Sequence, residues 1–339
     1  MQVHNLGSGV TACGTVIAMS FQPWSVAWDG ALYGPAGFFQ RSRPLDHFRT
    51  STANPLYAEA VLTLAERVDV ALGRPDPFDV VDVGAGGGEL LAALSVHVPS
   101  RWRLTGVELR PRPATWPRNV TQAAGRAGAS NAGQAAGPAW SRDVPPLTGV
   151  LLANEWLDSI PLDVLLAGRL LLVGADGKEL PGAVADPEQQ AWADRWWPAA
   201  GRVEVGLSRD RAWAAAVGQV GRGLAVAVDY GHLVADRRPT LTGYRDGRQV
   251  RPVPDGSCDL TAHVALDSCA AATGGRLLRQ AEALAGLGIS PRLPEPVDPS
   301  YAFGLQRASQ ARELLDVEGL GGFGWLLQEV GLPAGSMGL

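Results

Sequence analysis

Cysteine is rare in this chain, with three in 339 residues, and Cys13, Cys258 and Cys269 form neither a C-x-x-C pair nor a metal-ligand spacing. A disulfide framework and a zinc-ribbon type of cluster are thereby excluded, and a reducing compartment is implied. Histidine is equally sparse. The five, at positions 4, 47, 97, 232 and 263, do not gather with cysteines or acids at ligand spacing, so no metal site is expected. Lysines are few, the formal net charge is −5, and arginine pairs such as Arg101/Arg103 and Arg237/Arg238 are too short to make a basic tract. A nucleic-acid partner is excluded on that footing. Long apolar runs are missing as well: none reaches the roughly eighteen residues of a bilayer span, so no stable membrane insertion is expected. Residues 1–20 lack the cationic start of a secretory signal and read as a flexible leader, with Met19 as an alternative start. These absences point to a cytoplasmic protein, and the wealth of Ala, Gly, Pro, Trp and Arg to a bacterial genome of high GC content.

Against this background stands Val80–Leu91, VVDVGAGGGELL. Val80, Val81 and Val83 are β-branched and suit a buried parallel strand. Gly84, Gly86, Gly87 and Gly88 let the chain turn tightly and leave no side chain to obstruct a ligand. About twenty residues on, LTGVEL at 104–109 reads as a second strand ending on Glu108, which completes half of a nucleotide-binding α/β unit. A dinucleotide loop needs a third glycine where Glu89 stands, and a phosphate loop needs a Gly-Lys-Ser/Thr that does not follow. The pattern present, G-x-G-x-G preceded by Asp82, suits S-adenosylmethionine (SAM), which has no pyrophosphate to seat on a helix N-terminus. Asp82 is placed to meet its ammonium group, and Glu108 to accept hydrogen bonds from its ribose hydroxyls.

Alternation of short apolar strands with helical patterns predicts an α/β fold, a mostly parallel sheet with helices on both faces. Residues 21–77 form an N-terminal helical and aromatic cap, and residues 78–339 the nucleotide-binding domain, with insertions near 162–208 and 232–260. Within the cap, 21–48 read as turns with short helical pieces, and Pro55–Val70 as a helix with a Ser/Thr/Asn cap region at 51–54. Strands are expected at 78–83, 103–109, 149–153, 223–228, 276–279 and 324–330, and a hairpin outside the main sheet at 165–173 with its turn at 175–177. Helices are expected at 89–96, 187–197, 209–220, 262–273, 282–288 and 309–317. A weak one is placed around 121–129, in a low-complexity connection spanning 111–146. In such sheets ligands sit beyond the carboxyl ends of the strands. That rule singles out Asp82 with the glycines, then Glu108, then Asn154, Glu155 and Asp158, then Asp229 and Tyr230.

Six segments add a resemblance: ALYGPAGFF at 31–39, DHFRTSTANPLYAEAV at 46–61, DVGAGGGEL at 82–90, ANEWLDSIP at 153–161, VDYGH at 228–232 and DLTAHV at 259–264. In that order they resemble the MidA-like family of SAM-dependent methyltransferases, whose mitochondrial relatives are complex I assembly factors that dimethylate an arginine of a complex I subunit. The resemblance spans roughly residues 28–335. It implies a Rossmann-like class I methyltransferase fold, SAM as cofactor, and a protein arginine as acceptor, on a respiratory-complex subunit in those relatives. TSTANPLYAEA departs from the family's TSPE-x-SPLFGE, DSIP from DALP, and His232 replaces an aromatic. Thr50 and Ser51 match the motif's Thr-Ser and are candidates to lie over the cofactor. Gly84, Gly86, Gly88 and Asn154 join Asp82 and Glu108 as cofactor-binding candidates. A guanidinium is a poor nucleophile until its charge is held and its proton has somewhere to go. Glu155, Asp158 and Asp229 are the catalytic candidates for that task, Glu155 first. Two other readings stay open: a small-molecule methyltransferase, and a non-catalytic assembly factor that retains the fold.

Overall fold

The computed structural model describes residues 20–42, 50–110, 139–198, 201–293, 295, 301–333, 335 and 337–339. At its centre lies a seven-stranded sheet built from β1 (Phe78–Val83), β2 (Trp102–Val107), β3 (Ala139–Ser141), β4 (Leu147–Asn154), β5 (Val220–Asp229), β6 (Arg276–Arg279) and β7 (Gly324–Val330). The spatial order is β6-β7-β5-β4-β1-β2-β3. Strands β3, β2, β1, β4 and β5 run parallel, while β7 is antiparallel to both β5 and β6. The chain starts in the middle of this sheet and works outward in both directions. The crossing point therefore lies between β1 and β4, beside the glycine turn.

Every residue of β1 is buried, as a central strand covered on both faces demands. Successive side chains point to opposite faces, and two apolar clusters divide accordingly. Val80, Val150, Leu152, Val226 and Val228 pack with helices Pro55–Ala71 and Glu89–Ser95 on one face. Val81, Leu151, Ala153, Ala225 and Ala227 pack with Trp213 of helix Leu207–Val217 and Cys269 of helix Leu266–Thr273 on the other. Helix Pro55–Ala71 buries Leu56, Tyr57, Ala60, Val61, Leu64 and Val68, a three-to-four-residue stripe. It starts where it does because Pro55 suits a first-turn position and the Asn54 side chain accepts from the Leu56 N–H at 3.1 Å. Removing such a cap costs about 1 kcal/mol.

The elements around the sheet are more ordered than their composition suggests. Residues 21–48 contain a ten-residue helix, Trp24–Tyr33, rather than short pieces alone. Its Trp24, Trp28 and Leu32 pack against Val164, Leu171 and Val173. Those residues belong to a second, five-stranded sheet of Gln22–Pro23, Asp163–Leu166, Arg169–Val173, Glu179–Val184 and Arg202–Val205. The expected hairpin is thus the middle of a larger unit. The polar excursion after residue 232 holds a three-stranded sheet of Thr242–Arg245, Arg248–Val250 and Asp259–Thr261. The helix expected from residue 262 begins at Leu266, because Val264–Ala265 first pair in parallel with Gly231–His232. The last helix begins at Tyr301, earlier than expected. The weak helix placed at 121–129 and almost all of the leader lie outside the described residues. Among the described residues, no helix is long and apolar enough to cross a membrane.

Candidate active site

Strands β1, β2, β4 and β5 end on the same side of the sheet, and two adjoining cavities open there. The outer one has a volume of about 530 Å³ and the inner one about 80 Å³. Gly84, Gly86, Arg110, Glu155 and Ser159 line both, so the two adjoin around the glycine turn. The outer cavity is walled by Trp156, Val107, Asp143 and Val144, with Tyr33 and Phe39 of the N-terminal segment at one side. Tyr33 and Phe39 face each other with ring centroids 5.5 Å apart, and the Tyr33 hydroxyl donates to the Ser159 carbonyl at 3.1 Å. The N-terminal segment is therefore fastened to the turn that follows β4.

Gly84, Gly86 and Gly88 all have positive φ, at 73°, 59° and 79°. A side chain on Gly84 would bring its Cβ within 3.0 Å of the Trp156 ring, so the turn and the cavity wall fit only because the position is bare. Gly88 lines neither cavity and instead takes the left-handed conformation that starts helix Glu89–Ser95. Glu108, just past β2, lines the outer cavity and accepts from the Gly86 N–H at 2.9 Å and from the Arg110 N–H at 3.2 Å. Asp82 lines the inner cavity and is 4% exposed. Burial, with Glu108 and Glu89 nearby, raises its pKa from 3.8 to about 7.

Glu155 occupies the corner shared by the two cavities. Its backbone lies in the left-handed region at φ 51°, a conformation costly to a non-glycine residue and found where surrounding structure enforces it. The enforcing contacts are plain: the Glu155 N–H donates to the Val228 carbonyl at 2.7 Å. Its Oε1 accepts from the Ser51 N–H at 3.1 Å and from Asn154 Nδ2 at 3.0 Å. Burial raises the carboxyl from 4.5 to about 7; the two donors oppose the rise and the Asp158 charge adds to it. Thr50 and Asn154 line the inner cavity, whereas Ser51 is fully buried behind it and reaches Glu155 only through its backbone.

The other two acids sit differently. Asp158 lines the inner cavity, but its carboxylate already accepts from the hydroxyls of Ser159, Tyr230 and Thr261. Asp229 is fully buried and lines neither cavity. Its Oδ2 accepts from the Leu157 and Asp158 N–H groups at 2.9 and 3.2 Å, so it holds the turn after β4 from beneath. Burial and the neighbouring Asp158 and Glu155 push its pKa well up. Arg209, 1% exposed, ties the same turn to the excursion by donating to the carbonyls of Asp158, Ile160, Ala262 and His263.

Several residues at the crevice escape a reading of strand ends. Asp143 and Val144 follow β3, a three-residue strand at the close of a low-complexity stretch, and carry no pattern of their own. Thr261 and Asp259 come from the excursion, inside the DLTAHV segment that the family resemblance singles out, so that motif was the available signal. Among the described residues no group of three or more His, Cys, Asp or Glu side chains is arranged to hold a metal.

Comparison with known proteins agrees with this architecture. Residues 63–279 match a family model described as "Putative S-adenosyl-L-methionine-dependent methyltransferase". No curated protein sequence matches the chain. Two crystal structures from Burkholderia thailandensis resemble it in fold. One, of a "likely methyl transferase" bound to S-adenosyl-homocysteine, has a TM-score of 0.74 at 24% identity and covers 93% of this chain and 89% of its own. The other, a native structure of an uncharacterized protein, has a TM-score of 0.74 at 22% identity and covers 94% and 90%.

Proposed function

The chain belongs to this family of SAM-dependent methyltransferases, and we propose that it moves the methyl group of SAM onto a guanidinium nitrogen of a protein arginine. The strand order, with β7 reversed in an otherwise parallel run next to β5, suits the class I methyltransferase plan within residues 78–339, capped by 21–77. The cofactor fits the residues present. The turn at 84–88 is bare of side chains, apart from the methyl of Ala85, Asp82 offers a buried carboxyl to the ammonium, and Glu108 offers one at the ribose position. Asn154 Oδ1 is buried without a hydrogen-bond partner beside the same space. The S-adenosyl-homocysteine bound by the Burkholderia thailandensis structure supports SAM as the cofactor.

One observation carries the acceptor assignment: Glu155 stands at the junction of the two cavities with Oε1 pinned by two donors and Oε2 free of hydrogen bonds among the described residues. When bound, SAM supplies an electrophilic methyl whose C–S bond breaks as the new N–C bond forms, the electron pair remaining on sulfur. Glu155 Oε2 holds the acceptor nitrogen toward that methyl and takes the proton the nitrogen releases. A carboxyl with a pKa of about 7 is suited to both holding and releasing a proton near neutrality. Asp158, anchored by Tyr230 and Thr261, extends the negative floor, and Asp229 and Ser51 position Glu155 and its turn. Thr50 borders the cofactor.

The test is transfer of labelled methyl from SAM in cell extract, with the native protein and Glu155→Gln. The expected result is label in a protein band as methylarginine, reduced by about 10²–10⁴-fold in Glu155→Gln with SAM affinity kept. Label partitioning into solvent-extractable material would move the acceptor to the small-molecule class, and absence of transfer with intact SAM binding would favour the assembly-factor alternative.

A further inference from the structure

Asp259 is the first residue of the strand Asp259–Thr261, and so comes from the excursion rather than from the central sheet. It is 3% exposed, lines the inner cavity, and its Oδ1 has no hydrogen-bond partner. A buried carboxyl oxygen without a donor is costly, and more so when charged, so its persistence needs a reason. Among the described residues no arginine, lysine or histidine pairs with it. The charge that acts on it is that of another acid, Asp158, and burial together with that acid pushes its pKa well up. Its neighbour Thr261 is engaged with Tyr230 and Asp158, so the strand end is held while the Asp259 oxygen is left open. Arg209 fixes the excursion against the turn carrying Asp158. Two elements far apart in sequence thus deliver Glu155 and Asp259 to the cavity that Asp82 and the glycine turn also line.

We propose that Asp259 is a specificity-determining residue for the acceptor, contacting a planar cation through an N–H that Glu155 does not hold. An ammonium offers its donors from a single atom, whereas a guanidinium spreads five across a plane and can reach two carboxyls from separate elements. Asp259 thereby selects a planar cation over a neutral isostere of the same shape. The inference rests on the arginine reading of the site given above.

Calorimetry with methylguanidine as probe tests it, using the full chain saturated with S-adenosyl-homocysteine, with N-methylurea as the neutral isostere. Native protein is expected to bind methylguanidine and not N-methylurea. D259N is expected to weaken methylguanidine at least about tenfold while leaving the affinity for S-adenosyl-homocysteine within about twofold. D259S serves as the second variant, with cofactor affinity as the measure of folding for both. If methylguanidine binds, E155Q weakens it and neither Asp259 variant does, the role of Asp259 is overturned and the arginine reading stands. If native protein binds S-adenosyl-homocysteine but not methylguanidine, the arginine reading fails and the inference with it.

Discussion

The backbone N–H of Ser51 donates to Glu155 Oε1 at 3.1 Å, across 104 positions of sequence. Ser51 opens a short 3₁₀ turn just before helix Pro55–Ala71, and Glu155 directly follows β4. The N-terminal segment therefore lines the crevice and also supplies a donor to the acid at its corner. A donor aimed at a carboxylate favours the ionised form, and this bond opposes the rise that burial imposes on Glu155.

Removing that N–H should move the proton affinity of Glu155 without touching its side chain. Thr50 has the extended backbone, φ −115° and ψ 157°, that proline prefers in the residue before it. Ser51→Pro is expected to displace the rising limb of kcat/KM against pH upward, by on the order of one pH unit. Ser51→Ala keeps the N–H and loses only the contact with Gln280, so its limb should stay where the native one is. Coincident limbs for native and Ser51→Pro would show that the bond does not govern the acid.

Gly84→Ala isolates the glycine turn. Gly84 sits at φ 73°, where a side chain costs about 1–2 kcal/mol, and its new Cβ would also press on Trp156 at 3.0 Å. Trp156 lines the outer cavity, so any shift of the indole reshapes a wall of the space assigned to the cofactor. SAM affinity is expected to fall about tenfold or more, a loss of about 1.4 kcal/mol. Gly73→Ala is the control: its φ is 79°, but nothing lies within 4 Å. It should lose a comparable amount of stability and none of the SAM affinity; equal SAM affinity in all three proteins would remove the turn from the cofactor site.

The legible parts of this chain were those whose signal is local. Strands β4 and β5 contain the apolar runs VLLA at 150–153 and LAVAV at 224–228, β1 is valine-rich and stopped by Gly84, and helix Pro55–Ala71 carries its own cap and stripe. Strand β3 has three residues, and Asp259–Thr261 has three, too few for any period to register. The five-stranded sheet depends on pairs such as Asp163 with Val205, which no window along the chain can contain. The candidate site divides in the same way. Position at a strand end is local, and Asp82, Glu108 and Glu155 do meet at one crevice. What each acid is bonded to is not local. Asp229 is taken up by the N–H groups of Leu157 and Asp158, and Asp158 by Tyr230 and Thr261. Only the tertiary structure separates the acid left open from those already occupied.

The raised acids also fix how stability should respond to pH. Glu155 rises from 4.5 to about 7 and Asp82 from 3.8 to about 7. Between the unfolded and folded values the native chain binds more protons than the unfolded one, so both groups favour folding when protonated. Their contribution is fully present below the unfolded values and is lost as pH climbs through about 7. Each pH unit separating the folded pKa from the unfolded one is worth about 1.36 kcal/mol, so the loss is at most on the order of 3–5 kcal/mol for each group. The Tm of the ligand-free protein is therefore expected to fall between about pH 4 and 7. Glu155→Gln removes one of the raised carboxyls and should make that fall shallower, as should saturating SAM, whose ammonium would favour the ionised form of Asp82. A Tm profile for Glu155→Gln as steep as the native one would mean that folding leaves the proton affinity of the Glu155 carboxyl near its unfolded value, and that burial does not raise it.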